Sequence, residues 1–155
     1  MNNYSYDEIS IGHKEKFEIK ITEQMMESFL NITSDTNPLH ADEVYAKTEG
    51  YGNRVVYGML TASFMSTLAG VYLPGERSLI KEVKIKFAKP VFPGDTLTVE
   101  GEVTDKNDTF NMIVLKVVMR NDKNEKVLRG SMDIMIREET QQGAKSAPYN
   151  IKRGI

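Results

Sequence analysis

A chain of 155 residues with 40% hydrophobic and 27% charged residues has the length and composition of one globular domain with a real core. Its formal net charge of -2 gives no electrostatic footprint for nucleic acid, and the absence of cysteine excludes disulfides, thiolate nucleophiles and Cys-ligated zinc. The opening MNNYSYDEIS lacks a basic stretch followed by an apolar run, and no apolar segment nears the roughly 18 residues of a membrane span, so a cytoplasmic protein without membrane attachment is expected.

Phe17, Ile19 and Ile21 alternate with charged residues, the period of a half-buried strand. Thr22 then stands as the cap of a helix carrying Met25, Met26, Phe29 and Leu30 at helical spacing. Next comes Asp35-Thr36-Asn37-Pro38-Leu39-His40, which reads as a second helix entrance. Asn37 suits the N-cap, Pro38 the first helical position where no N–H is needed, and Asp42 and Glu43 favour the dipole of the first turns. Gly50, Gly52 and Asn53 keep that helix short.

The hexapeptide brings a carboxylate and one of only two histidines to a single turn, with Asp35 just outside the helix and His40 just inside. Those are side chains that can hold a water and move its proton. Asp and Asn before Pro are also ordinary turn chemistry, and taken alone the motif reads more often as a solvated turn.

Residues 59–71, MLTASFMSTLAGV, carry no charge, which predicts a central helix buried on nearly every side. Ala62, Ser66, Ala69 and Gly70 give it a face of small residues that either packs closely on a sheet or leaves room for a ligand. In the second case Met59, Phe64 or Met65 compete to fill the space. After Pro74-Gly75, four alternating segments follow at 79–87, 96–103, 111–119 and 127–136, the last three separated by the turn clusters DKNDT and NDKNE. The expected fold class is α+β, an antiparallel sheet of about five strands wrapped around one buried helix. Lysines within 81–89 fit a solvated strand face. Residues 1–137 form the expected domain, and 138–155, with little periodicity, a peripheral or flexible tail.

Three segments in this order resemble the MaoC-like family of (R)-specific enoyl-CoA hydratases and dehydratases, which have the hot dog fold. They are Ser34-Asp35-Thr36-Asn37-Pro38-Leu39-His40, then Gly58-Met59-Leu60 leading to Ser66, then Phe87-Ala88-Lys89-Pro90-Val91-Phe92-Pro93-Gly94-Asp95, and the likeness covers about residues 10–137. The resemblance implies that Asp35 and His40 are the catalytic pair that activates water. It gives Gly58 a backbone N–H that polarises a thioester carbonyl, and makes Ser66 a lining residue, for which a core hydroxyl bonded to its own helix is the alternative. Asn37 and Tyr57 join the expected binding set, with Met59, Ala62 and Ala69 as pocket wall. Tyr57 departs from the family's usual His before this glycine and cannot titrate near neutral pH. The segment FAKPVFPGDTL is by itself a strand ending in a turn, which the resemblance places near a dimer edge.

Addition of water to an α,β-unsaturated thioester needs a base for the water proton, an acid for the α-carbon and a donor for the thioester oxygen as negative charge gathers there. A carboxylate, an imidazole and a free N–H are suited to those tasks. No metal or redox cofactor is implied. The expected partners are an acyl thioester of coenzyme A or of acyl carrier protein and a second copy of the chain in a homodimer. A hot dog thioesterase and a non-catalytic acyl-binding module are the competing readings.

Overall fold

The computed structural model describes residues 1–138, so the expected tail lies outside the described residues except for Glu138, whose carboxylate accepts a hydrogen bond from the Asn111 side chain at 2.8 Å. Five strands form one antiparallel sheet: β1 (Lys14–Lys20), β2 (Ser78–Phe87), β3 (Thr96–Asn107), β4 (Met112–Arg120) and β5 (Lys126–Ile136), in the spatial order β1-β3-β4-β5-β2. Alternation does what the sequence predicts, since Leu97, Val99 and Val103 of β3, Ile113, Leu115 and Val117 of β4, and Met132 and Ile134 of β5 are all buried on one face.

Four helices lie between β1 and β2: α1 (Glu23–Thr33), α2 (Pro38–Ala41), α3 (Glu43–Thr48) and α4 (Gly58–Thr67), and α4 widens into a π-turn over Leu68–Tyr72. Helix α4 can approach the sheet because the strand register aligns Gly101 with Val117 and Val117 with Gly130, a track with little side chain beneath it. A Cβ at Gly101 would stand 2.8 Å from Leu68 Cδ2, and one at Gly130 would clash with the Lys84 carbonyl oxygen of β2 and stand 3.3 Å from Met65 Cε. Met65 and Leu68 fill that track, and each such fully buried side chain contributes about 1.5–3 kcal/mol.

Two expectations change. The helix entered at Pro38 is not continuous, because Asp42 ends α2 in an extended conformation and its carboxylate accepts from Val44 and Tyr45 N–H, which starts α3 anew. Helix α4 is not buried all round: Met59, Ser63 and Ser66, at positions i, i+4 and i+7, form an exposed stripe in the single chain, while Leu60, Ala62, Met65 and Ala69 are buried. An uncharged sequence reports that a face is apolar or small, not that the same chain covers it.

Candidate active site

Helix α1 ends where Ser34 takes a left-handed conformation (φ 56°) and its N–H closes on the Leu30 carbonyl. The chain is thereby turned outward, and Asp35 to Asn37 form an exposed turn held by short bonds. Asp35 Oδ1 accepts the Asn37 N–H at 3.1 Å, and Asn37 Oδ1 accepts the Leu39 N–H at 3.0 Å, so Asn37 caps α2 with Pro38 in the first turn.

His40 is half-buried on α2, with Nδ1 2.7 Å from the Val55 carbonyl oxygen. A carbonyl only accepts, so Nδ1 carries the hydrogen and donates, and in the neutral ring Nε2 keeps the lone pair. The Val55 N–H donates in turn to the Leu39 carbonyl at 3.1 Å, and Val56 N–H to Val91 at 2.8 Å, so the residues before α4 are fastened both to α2 and to the loop after β2. Arg54 adds a further tie. Its guanidinium forms an ion pair with Glu23 at the start of α1 and donates to the His40 carbonyl at 3.4 Å.

Tyr57, only 2% exposed, stacks obliquely on His40 with ring centroids 4.3 Å apart and packs on Phe29 at 5.1 Å. Its hydroxyl donates to the Asp35 carbonyl at 3.0 Å. Burial first and the Asp35 charge second push the phenol above its ordinary pKa, against a smaller opposite effect from Arg54, so it remains a neutral donor.

Gly58 opens α4, where helix geometry leaves its N–H without an intrahelical acceptor and at the positive end of the dipole. A Cβ there would lie 3.1 Å from the Phe87 ring, a close contact that glycine avoids. His40 and Gly58 share the wall of one cavity of about 300 Å³, completed by Val55, Val56 and Thr61, by Phe87 to Val91 at the end of β2, and by Tyr51 and Val127. That volume is at the lower end for small-molecule sites and suits the reacting end of a ligand.

The expected residues are thus distributed unevenly. His40 and Gly58 meet in the cavity, and Tyr57 is buried against His40 without lining it. Asp35 and Asn37 are exposed on the adjoining turn, Met59 and Ser66 lie on the outer stripe of α4, and Ala62 and Ala69 are in the core; none of these lines the cavity. Sequence reasoning missed the Val55 carbonyl, Thr61 and the lining role of Phe87 to Val91. Among the described residues no group of three or more His, Asp or Glu is placed to hold a metal, and no helix is long and apolar enough to cross a membrane.

Comparison with known proteins gives a consistent picture. The sequence profile of the MaoC like domain matches residues 8–125. The (R)-specific enoyl-CoA hydratase of Aeromonas caviae is 36% identical over 100 residues, covering 64% of this chain and 75% of that protein, and the enzyme of the same name from Rhodospirillum rubrum is 35% identical over 99 residues, covering 64% and 69%. Among solved structures, the unliganded R-hydratase PhaJ1 from Pseudomonas aeruginosa superposes with a TM-score of 0.83 at 30% identity, covering 96% of this chain and 97% of the other.

Proposed function

From the premise that the chain belongs to the MaoC-like domain family, we propose that it hydrates trans-2-enoyl thioesters to (R)-3-hydroxyacyl thioesters, and catalyses the reverse dehydration, on its hot dog fold. The observation that carries the reading is one cavity walled by both the His40 imidazole, its Nε2 left free by the Nδ1 bond to Val55, and the Gly58 residue at the start of α4.

The thioester oxygen is received by the Gly58 N–H, which strengthens its hold as attack on the β-carbon pushes the C=C electrons through the α-carbon onto that oxygen. Asp35 orients the water from the adjoining turn. His40 takes the water proton at Nε2 while the hydroxyl bonds to the β-carbon, and the imidazolium returns a proton to the α-carbon. The C=C bond becomes single, one C–O and one C–H bond form, and the site ends in its starting protonation state. Asn37 holds the turn through its cap, and Ser66 and Met59 belong to the face of α4 along which an acyl chain or a second subunit lies.

The acyl thioester is the substrate class; coenzyme A and acyl carrier protein are the two carriers to compare. A homodimer is part of this reading. β1 is a charged outer strand, while the free edge β2 exposes Leu79, Val83 and Phe87, at 43%, 43% and 49%, between Lys81, Glu82, Lys84 and Lys86, and such an unpaired edge is open to a partner strand. Pairing there places the cavity-lining end of β2 beside the junction. The test is to follow the enoyl absorbance of crotonyl-CoA and of a medium-chain 2-enoyl-CoA together with free thiol. Loss of the enoyl band without thiol supports hydration and thiol release identifies a thioesterase, whereas no change with these substrates or with the matching enoyl-acyl carrier protein leaves a binding module.

A further inference from the structure

We infer that Tyr57 is a positioning residue for this reaction: its hydroxyl ties the Asp35 turn to the core while its ring backs the His40 imidazole, so one side chain sets both water-handling groups relative to the Gly58 N–H that follows it. The role rests on the hydratase reading of the same site.

The turn needs such a tie. Residues 31–38 are all exposed, and within residues 34–37 the bonds that Asp35 and Asn37 make through their side chains run to neighbours two positions away. Among the described residues, the 3.0 Å bond from the Tyr57 hydroxyl to the Asp35 carbonyl is the only hydrogen bond that joins 34–37 to anything outside residues 30–41. Exposed turns fluctuate, and a displacement of about 1 Å in a reacting group costs on the order of a hundredfold in rate.

Tyr57 itself is fixed. It is buried, wedged between Phe29 and His40, and its backbone carbonyl accepts the Thr61 N–H at 3.1 Å in the first turn of α4. The same residue therefore touches the backbone of Asp35, the ring of His40 and the helix that presents Gly58. A buried tyrosine also satisfies its hydroxyl wherever a carbonyl is near. That plain core role affects stability, while the positioning role affects turnover and the motion of one turn.

Tyr57→Phe separates the two, because it keeps both ring contacts and removes only the tie. The expected result is a ten- to hundredfold fall in kcat with KM within twofold, and faster hydrogen exchange at residues 35–37 with the sheet amides unchanged. In an Asp35→Asn background the same substitution should change the residual kcat less than twofold, since its effect passes through Asp35. A wild-type kcat with unchanged exchange, or an equal loss in both backgrounds, overturns the role. Wild-type protein that hydrates neither coenzyme A nor carrier-protein enoyl thioesters overturns the hydratase reading and this role with it, whereas an active wild type matched by Tyr57→Phe overturns the role alone.

Discussion

The His40 Nδ1–H donates to the Val55 carbonyl oxygen at 2.7 Å, and that bond leaves Nε2, in the cavity wall, as the ring nitrogen without a partner among the described residues. His40→Asn keeps a donor near the Nδ1 position and removes Nε2. The expected outcome is a loss of about a hundred- to ten-thousandfold in kcat/KM, the span of general acid–base catalysis, with a thermal midpoint close to wild type. Steady-state hydration kinetics beside a thermal melt check it; retention of wild-type turnover removes Nε2 from the mechanism.

Gly58 and Phe87 predict a separation of stability from activity. Gly58 has no positive φ, and alanine is the better helix former by up to about 1 kcal/mol, so Gly58→Ala should hold or slightly raise the denaturation midpoint. The new methyl presses on the Phe87 ring, 3.1 Å away, at the cavity wall beside the N–H proposed to receive the thioester oxygen. Turnover is expected to fall at least tenfold. Equal losses of stability and activity would mean that the glycine serves packing alone.

Much of this architecture is legible in the sequence, for physical reasons that also mark where legibility stops. Alternation locates the strands to within a residue or so at most ends. β3 runs on to Asn107 because a bulge near Val103 shifts the register and lets pairing continue, and β4 begins at Met112 because Asn111 takes a left-handed turn conformation, φ 48°. Neither the bulge nor the break at Asp42 carries a hydrophobic period. In the site, His40 and Gly58 sit in recognisable local motifs, and the cap at Asn37 follows from residue type. The Val55 carbonyl is a backbone acceptor and has no residue signature. Phe87 and Val91 reach the cavity only through the placement of β2 at the sheet edge, which depends on pairing with β5 more than forty positions away.

The exposed edge of β2 predicts self-association. Val83 pairs with Met132 of β5 on the helix-facing side yet remains 43% exposed, so a charge there is tolerated in one chain but meets its own copy across a pairing edge. Wild type is expected to elute at twice the chain mass in light scattering, and Val83→Glu at the chain mass. A monomeric wild type would contradict the edge-to-edge arrangement.

Tyr57 gives a pH prediction with a definite sign. Burial, then the Asp35 charge, raise its phenol above the usual value near 10, so in alkali the unfolded chain loses this proton first. Its contribution to stability is complete below about pH 10 and disappears as pH rises through the folded value. Urea melts should show wild type losing more stability than Tyr57→Phe between pH 9 and 11. An identical loss in both would place the alkaline sensitivity elsewhere, for instance at Tyr6, pushed up to about 12 by burial first and its bond to Asp108 second.

The most direct test of the hydratase account is the configuration of the product. Wild-type protein is incubated with a trans-2-enoyl-CoA, and the 3-hydroxyacyl product is resolved with (R)- and (S)-specific dehydrogenases, with Asp35→Asn run alongside. The account predicts (R)-product from wild type and a loss of orders of magnitude in Asp35→Asn, whose amide oxygen still accepts the Asn37 N–H and preserves the turn. An (S)-product, or equal rates from the two proteins, would contradict it.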